Sequence, residues 1–188
     1  MSRLTVFNSI SVDGYFTDKN GDMSWAHQDD PEWRKFTNEN VKGEGGVLLF
    51  GRVTYEMMAS HWPTPQAKEQ LPEVARRMND AQKVVFSRTL NKVSWNNTRL
   101  VKGDLPNEVR KMKATIQEGI VVLGSGTIVA QLAAANLIDQ YQLIVNPVVL
   151  GEGRTLFEGL NNKIKLKRTQ SRTFENGNVL VTYEPVAA

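Results

Sequence analysis

The sequence contains no cysteine and only two histidines. The absence of cysteine excludes a disulfide framework, a thiolate nucleophile and a thiolate metal ligand. Two histidines, His27 and His61, are too few for a histidine-based metal site, and we predict no metal. No apolar run approaches the ~18 residues that a membrane-spanning helix needs. The N-terminal segment lacks the long apolar core of a signal peptide, so we expect a cytoplasmic protein without a membrane partner.

The chain also has little excess charge of either sign, since its 23 basic and 20 acidic side chains give a formal net charge of only +3. Part of the basic surplus lies in "KIKLKR" (163–168), whose alternation predicts a strand with one solvated face. No aromatic residues interleave with these charges, as they would in a surface that stacks on bases. We therefore expect no nucleic-acid partner.

Short apolar runs alternate with helical segments along the 188 residues. Strands are predicted at 4–12, 46–50, 83–87, 98–102, 119–124 and 140–150, and helices at 30–41, 52–62, 68–81, 107–118 and 130–138. A polar loop is expected from residue 13 to about residue 30. The segments 163–174 and 178–185 flank an Asn-Gly turn and predict an antiparallel hairpin. The pattern predicts one α/β domain, residues 1–188, with a largely parallel sheet covered on both faces.

Three of the predicted strands end in segments that suit phosphate groups. They run into Gly51-Arg52-Val53-Thr54, Ser87-Arg88-Thr89 and Gly124-Ser125-Gly126-Thr127. Each could be an ordinary turn, and Val129 in place of a third glycine argues against a Rossmann fingerprint. Ligands of parallel sheets bind beyond the carboxyl ends of the strands, so the joint placement of the three favours a binding site.

The residue types at these junctions suggest the kind of ligand. The turn at 124–127 offers backbone N–H groups and hydroxyls that suit a pyrophosphate. Arg52 and Arg88 offer forked donors that suit terminal phosphates. A ligand with a diphosphate and a further phosphomonoester fits this inventory, and NADPH is such a ligand.

Five segments together resemble a known family. "FNSISVDGYF", "LLFGRVTYEMM", "KVVFSRTL", "VVLGSGTIVAQL" and "LIVNPVVLGEGRTLF" resemble, in order, segments of the dihydrofolate reductase-like family. The C-terminal reductase domain of the riboflavin-biosynthesis deaminase-reductase, with its stand-alone bacterial relatives, is the most similar branch. The resemblance covers nearly all of residues 3–184. It implies a mostly parallel central sheet flanked by helices, with a C-terminal antiparallel hairpin.

The resemblance also implies chemistry: hydride transfer from NADPH to a small heterocycle of the pterin or ribosylamino-pyrimidine type. Carried over by position, the residues that hold the cofactor's phosphates would be Gly51, Arg52, Thr54, Ser87 and Arg88, with Arg88 favouring the 2′-phosphate. The residues that wrap the pyrophosphate would be Gly124, Ser125, Gly126, Thr127 and Ile128. Ser11, Asp13 and Gly14 would lie near the nicotinamide.

A proton donor to balance the hydride would be an acid. Asp13, Asp30 and Glu32 are the candidates, and we predict Asp13 and Glu32 as catalytic residues. Glu32 has a structural alternative, as a first-turn acid that complements a helix dipole. A second function remains open, that of a non-catalytic nucleotide-binding module that keeps the NADPH crevice.

The assembly and the pathway are further expectations from the resemblance. Riboflavin reductases act on a phosphoribosyl substrate and are usually fused to a zinc deaminase, whose His and Cys ligands this chain lacks, which leaves the pathway role open. Reductases of this branch are commonly dimers, and "QYQLIVNPVVL" and "NVLVTY" provide apolar late strands. We predict a homodimer that buries part of these strands, with a monomer as the alternative.

Overall fold

In a computed structural model of the protein, residues 1–26, 30–43 and 46–186 are described. The strands are β1 Leu4–Ser11, β2 Tyr15–Asp18, β3 Val47–Gly51, β4 Lys83–Phe86, β5 Thr98–Val101, β6 Ile120–Val122, β7 Gln140–Asn146, β8 Gly153–Thr155, β9 Leu166–Thr173 and β10 Val179–Pro185. The α-helices are α1 Pro31–Gly43, α2 Arg52–His61, α3 Pro65–Gln70, α4 Pro72–Asp80, α5 Leu105–Thr115 and α6 Gly126–Ala134. His27, one of the two histidines considered above, lies outside the described residues.

Eight strands form one sheet in the order β5-β4-β3-β6-β1-β7-β10-β9. The first six of these strands are parallel to one another. β10 runs antiparallel to β7, and β9 runs antiparallel to β10. This arrangement confirms the predicted α/β fold, a mostly parallel central sheet with a C-terminal antiparallel hairpin. β2 and β8 form a separate two-stranded sheet.

Both faces of the sheet are covered, but in different ways. One face carries a continuous apolar core in which α5 and α6 pack on the central strands. The other face carries two separate clusters, one around Tyr55 and Trp95 over β3 and β4, the other around Phe36 and Phe174 over β7 and β10. All residues of β3 and β4 are buried, which explains why both sequences are apolar apart from Lys83 at the start of β4.

Prolines account for two differences from the predicted elements. The helix expected at 68–81 is two helices, because Leu71 adopts φ −137° and ψ 66° before Pro72. A residue before proline is disfavoured in the helical region, so α3 ends there and α4 starts afresh. The strand expected at 140–150 ends at Asn146, since Pro147 lacks the N–H that would continue the ladder.

Long-range pairing accounts for most other differences. The loop expected before residue 30 contains β2, which pairs with the equally unforeseen β8, and a single 3-10 turn at Ser24–Ala26. The basic strand expected from residue 163 starts only at Leu166, and β9 is exposed on both faces. α6 begins at Gly126, directly on the turn at 124–127, and ends at Ala134, four residues before the expected end. Of the helices described, none is long and apolar enough to cross a membrane.

Candidate functional site

The carboxyl ends of β3 and β6 form a crevice because the chain leaves these neighbouring strands toward opposite faces. α2, which follows β3, packs through Tyr55 on the face of Leu48 and Phe50. α6, which follows β6, packs through Ile128 and Val129 on the opposite face. A pair of parallel strands with this divergence is the usual position of a ligand crevice in an open α/β sheet.

Two glycines allow the two turns to approach closely. The N–H of Gly51 donates to the carbonyl of Gly124 at 2.9 Å. A side chain at residue 51 would collide with Ser125 Oγ. Gly124 has φ +109°, and its peptide bond to Ser125 is cis. A Cβ at residue 124 would stand 3.1 Å from Thr54 Oγ1. The approach of backbone to backbone therefore requires glycine at both positions.

The N-termini of α2 and α6 both open onto this crevice with their first N–H groups uncapped. Gly51 and Ser125 are the N-cap residues, and neither makes a side-chain capping bond. Neither helix has an acidic residue in its first turn. The free N–H groups and the positive ends of two helix dipoles therefore converge on one point, an arrangement that favours an anion.

Hydroxyls and guanidinium groups surround these helix ends. Ser125 Oγ and Thr127 Oγ1 lie 3.0 Å apart at the start of α6. Beyond β4, the next strand, Ser87 Oγ accepts hydrogen bonds from the N–H groups of Thr89 and Leu90 and shapes a tight turn. Arg88 is exposed at that turn and has no ion-pair partner within the described ranges. The structure thus places the three predicted junctions at the carboxyl ends of three neighbouring strands, in the spatial order β4, β3, β6.

Arg52 is exposed beside the crevice and forms an ion pair with Glu56, one helical turn further along α2. The distance from its Nη1 to Glu56 Oε2 is 2.8 Å. Both side chains are about half exposed. Because such surface pairs contribute only ~0.3–0.5 kcal/mol, Arg52 can exchange this partner for a phosphate at little cost.

Asp13 ties the end of β1 to the loop that follows β7. Its carboxylate accepts hydrogen bonds from Ser11 Oγ at 2.6 Å, from Leu150 N at 3.1 Å and from Gly151 N at 2.7 Å. The Ser11 bond above all, together with these backbone N–H groups, lowers the pKa of Asp13 from 3.8 to about 2. Gly14 completes the turn with φ +86°, donating its N–H to the Ser11 carbonyl.

The other two candidate acids are hydrogen-bond acceptors within the fold. Glu32 accepts from Arg172 Nη2 at 3.0 Å and from the backbone N–H of Glu175 at 3.2 Å. It therefore links α1 to the C-terminal hairpin. Asp30 Oδ1 accepts from the N–H of Trp33 at 2.8 Å and caps α1. The catalytic roles of Asp13 and Glu32 stay predictions, and the geometry gives both a structural role as well.

Sequence reasoning missed the small β2–β8 sheet, which packs on the start of α6. A Cβ at Gly126 would stand 2.7 Å from the carbonyl oxygen of Thr155 and 3.0 Å from Phe16 Cε1. An ion pair between Lys19 and Glu152, 2.6 Å long, closes the same sheet. The only sequence signal for this contact was the second glycine of the 124–127 turn.

Two buried polar side chains beside the predicted Ser11, Asn146 and Asn178, were also missed. Ser11 pairs with Asn146 in the β1–β7 ladder, and Asn178 lies beside Asn146 just ahead of β10. All three are fully buried. Asn146 Oδ1 and both polar atoms of the Asn178 amide have no hydrogen-bond partner among the described residues. The three side chains lie on the face that carries α1, since side chains alternate along a strand and Ile144 and Leu180 face that way.

The comparisons with known proteins agree with this architecture. Residues 2–180 match the model of the RibD C-terminal domain. Over 182 residues, 96% of this chain and 94% of the relative, the sequence is 28% identical to the uncharacterized protein YyaP of Bacillus subtilis (strain 168).

Two solved structures share the fold. One is a diaminohydroxyphosphoribosylaminopyrimidine deaminase/5-amino-6-(5-phosphoribosylamino)uracil reductase from Thermotoga maritima (TM-score 0.71, 15% identity, 98% of this chain and 57% of that chain). The other is dihydrofolate reductase from Enterococcus faecalis complexed with NADP(H) and RAB-propyl (TM-score 0.64, 15% identity, 97% of this chain and 96% of that chain). The fold is therefore of the reductase type.

Proposed function

The chain belongs to the RibD C-terminal domain family, and from that premise we propose that it is an NADPH-dependent reductase of a small heterocycle. The observation that carries the proposal is the convergence of two uncapped helix N-termini, those of α2 and α6, on a glycine-lined crevice. The complex of NADP(H) with the structurally similar dihydrofolate reductase supports it.

The donors in the crevice fit the phosphates of NADPH. The first N–H groups of α6, with the hydroxyls of Ser125 and Thr127, would hold the pyrophosphate. Arg88, exposed and without an ion-pair partner among the described residues, would hold the 2′-phosphate, with Ser87 and Arg52 beside it. Ile128 and Thr54 are buried in the first turns of α6 and α2.

When bound, NADPH supplies a hydride from nicotinamide C4 that an electrophilic carbon of a C=N bond accepts, and the neighbouring nitrogen takes a proton. The protein's part is to hold donor and acceptor in one geometry. Ser11, Asp13 and Gly14 would shape the nicotinamide end, where Asp13 fixes the loop after β7. Because Asp13 is ionised at neutral pH, it would position this loop while water supplies the proton.

One substitution tests the cofactor assignment. We expect Arg88→Ala to weaken NADPH binding by roughly 10- to 100-fold, because a hydrogen bond to a charged group contributes ~1.5–3 kcal/mol. NADH binding should change little, since NADH lacks the 2′-phosphate. Quenching of tryptophan fluorescence measures both affinities. Arg110→Ala on α5 is the matched control and should leave both unchanged; equal losses for both cofactors in Arg88→Ala would reject the assignment.

A second candidate, a nucleotide-binding module without catalysis, is favoured by one observation. Asp13, Asp30 and Glu32 all serve as hydrogen-bond acceptors within the fold. Oxidation of NADPH, followed by its absorbance, separates the two functions. Binding of NADPH without turnover of any pterin, flavin precursor or quinone would favour the module.

A further inference from the structure

The sequence contains two Asn-Gly dipeptides, Asn20-Gly21 and Asn176-Gly177, and each lies in a turn. An Asn-Gly dipeptide can deamidate without an enzyme. The backbone nitrogen of the glycine forms a bond to Cγ of the asparagine side chain, and the side-chain nitrogen leaves as ammonia. One water then opens the succinimide ring to aspartate or isoaspartate. Glycine favours this reaction because no Cβ crowds its attacking nitrogen.

The two turns share the same backbone pattern. Gly21 has φ +84° and donates its N–H to the carbonyl of Asp18 at 3.1 Å. Gly177 has φ +85° and donates its N–H to the carbonyl of Phe174 at 3.0 Å. A difference in reactivity between the two dipeptides must therefore come from the asparagine side chains and from what packs on each turn.

The side chain of Asn176 is held in place by the fold. Its Oδ1 accepts a hydrogen bond from the N–H of Asn178 at 3.0 Å. Its Nδ2 is buried and has no hydrogen-bond partner among the described residues. A Cβ at Gly177 would stand 3.1 Å from Pro147 Cγ, so this turn packs against the end of β7. Rotation of the Asn176 amide toward the glycine nitrogen would break the bond to Asn178, and the buried amide is out of reach of water.

The side chain of Asn20, in contrast, is exposed, and so is Gly21. Within the described residues its amide makes one hydrogen bond, from Nδ2 to Asp18 Oδ2, and at 3.4 Å this bond is weak. No atom lies within 4 Å of a Cβ built on Gly21. The Asn20 amide can therefore rotate toward the Gly21 nitrogen at little cost, and water reaches it directly.

The turn that contains Asn20 is built on the carboxylate of Asp18. Asp18 Oδ1 accepts hydrogen bonds from the N–H of Asn20 at 2.8 Å and from the N–H of Asp22 at 2.7 Å. A carboxylate at residue 20 would remove the Nδ2 donor and add a negative charge that repels Asp18. Because Asp18 is the last residue of β2 and pairs with Gly153 of β8, this repulsion acts directly on the small sheet.

From this contrast we propose that Asn20 is a site of spontaneous deamidation, that the fold protects Asn176, and that the carboxylate formed at residue 20 loosens the β2–β8 sheet. The proposal goes beyond the proposed function, since it requires no bound ligand. It concerns the candidate site nevertheless, because the β2–β8 sheet packs on Gly126 at the start of α6.

Mass spectrometry tests the first two parts of the proposal on protein aged at pH 8 and then digested with pepsin at acid pH, where deamidation is slow. We expect residue 20 to convert at least fivefold faster than residue 176 in the folded protein. In urea, which removes both turns, the two rates should agree within twofold. Equal rates in the folded protein, faster conversion at residue 176, or no conversion at residue 20 overturns the proposal. A fivefold difference that persists in urea overturns protection by the fold.

Hydrogen exchange tests the third part. Asn20→Asp introduces the charge of the product, whereas Asn20→Gln keeps a neutral amide that cyclises far more slowly. We expect the amide hydrogens of β2 to exchange at least threefold faster in Asn20→Asp than in the unsubstituted protein, and those of β10 to be unchanged. Asn20→Gln should leave exchange in β2 unchanged and abolish conversion at residue 20. Unchanged exchange of β2 in Asn20→Asp overturns the loosening of the small sheet.

Discussion

Asp13 shows how one side chain can hold two loops of the site together. Its carboxylate accepts hydrogen bonds from a hydroxyl of its own turn and from two backbone N–H groups of the loop after β7. Hydrogen bonds to the ionised form favour that form, which is why the Asp13 pKa falls to about 2. An acid of this kind stays ionised through the whole neutral pH range. It contributes to the site by holding Val12, Leu150 and Gly151 in position.

The low pKa of Asp13 predicts how the stability of the protein changes at acid pH. Since the pKa of Asp13 in the folded protein lies below the ordinary value of 3.8, the ionised group stabilises the fold above about pH 4. That contribution is lost as the pH falls toward 2. We expect Asp13→Asn to lower the urea midpoint at pH 6, and the gap to the unsubstituted protein to close by pH 2–3.

Urea titrations at several pH values, followed by tryptophan fluorescence, measure this gap. Glu118→Gln, which removes an exposed carboxylate on the loop after α5, is the control and should show no such pH-dependent gap. A gap for Asp13→Asn that stays constant down to pH 2 would show that the Asp13 carboxylate is not the stabilising group.

At the scale of elements, buried polar contacts decide where helices end. Lys83 begins β4 with 1% of its surface exposed, and its Nζ donates to the carbonyls of Met78, Asn79 and Ala81 at the end of α4. The ammonium also lies 4.5 Å from the centre of the Trp95 ring. A lysine buried in a strand thus supplies the donors that the last turn of the preceding helix needs.

Replacement of Lys83 by methionine has two opposed effects on the free energy of unfolding. Burial lowers the Lys83 pKa to about 8, so holding the charge inside costs about 3 kcal/mol at neutral pH. Three carbonyls left without a donor cost about 1–3 kcal/mol each, so together they equal or outweigh that relief. We expect Lys83→Met to lose about 2 kcal/mol of unfolding free energy at pH 7, and exposed Lys68→Met to lose almost none.

The same pKa gives this prediction a second readout. Because the unfolded chain binds the lysine proton more tightly than the folded protein, stability should rise between about pH 8 and pH 10. In Lys83→Met this part of the rise should vanish. Denaturant titrations at pH 7, 8.5 and 10 test both readouts, and an identical pH dependence in the two proteins would contradict the assignment of the titrating group.

The elements that the sequence predicts well are those whose pattern is local. The sequence predicts β3 and β4 as buried strands because each is a short run of apolar residues, with a polar residue or glycine only at one end. The Asn-Gly turn before β10 likewise predicts the hairpin of β9 and β10. The sequence predicts a loop where β2 forms, because the four residues of β2 gain strand geometry only by pairing with β8, more than 130 positions away. The same limit hid Asn178, which only the fold brings beside Asn146.

At the scale of the whole molecule, the strand order of the sheet separates the candidate site from the edge strand β9. The crevice lies among β4, β3, β6 and β1, whereas the sheet ends on the other side in β10 and β9. "NVLVTY", expected to pair or be buried, is paired within the chain on both sides, with β7 and with β9. The edge strand on this side of the sheet is therefore β9, which is exposed along both faces.

We predict that β9 is the surface through which two copies form a two-fold homodimer with both crevices open. Antiparallel pairing of two β9 strands would bring Lys167, Arg168 and Arg172 of one copy near those of the other. Like charges across a ladder repel, so roughly 0.5 M salt, where the Debye length is below about 5 Å, should strengthen the dimer. Gln170→Arg adds a cation to the middle of the strand and should weaken it, whereas Asn91→Arg, in an exposed loop, should not.

Light scattering coupled to size exclusion measures the mass at micromolar concentration in low and high salt. We expect about twice the 21.1 kDa of the chain, with the dimer fraction rising with salt and falling in Gln170→Arg. A mass of one chain at both salt concentrations would contradict the dimer. A dimer that dissociates as salt rises would place the interface elsewhere, because a β9 contact between like charges can only gain from screening.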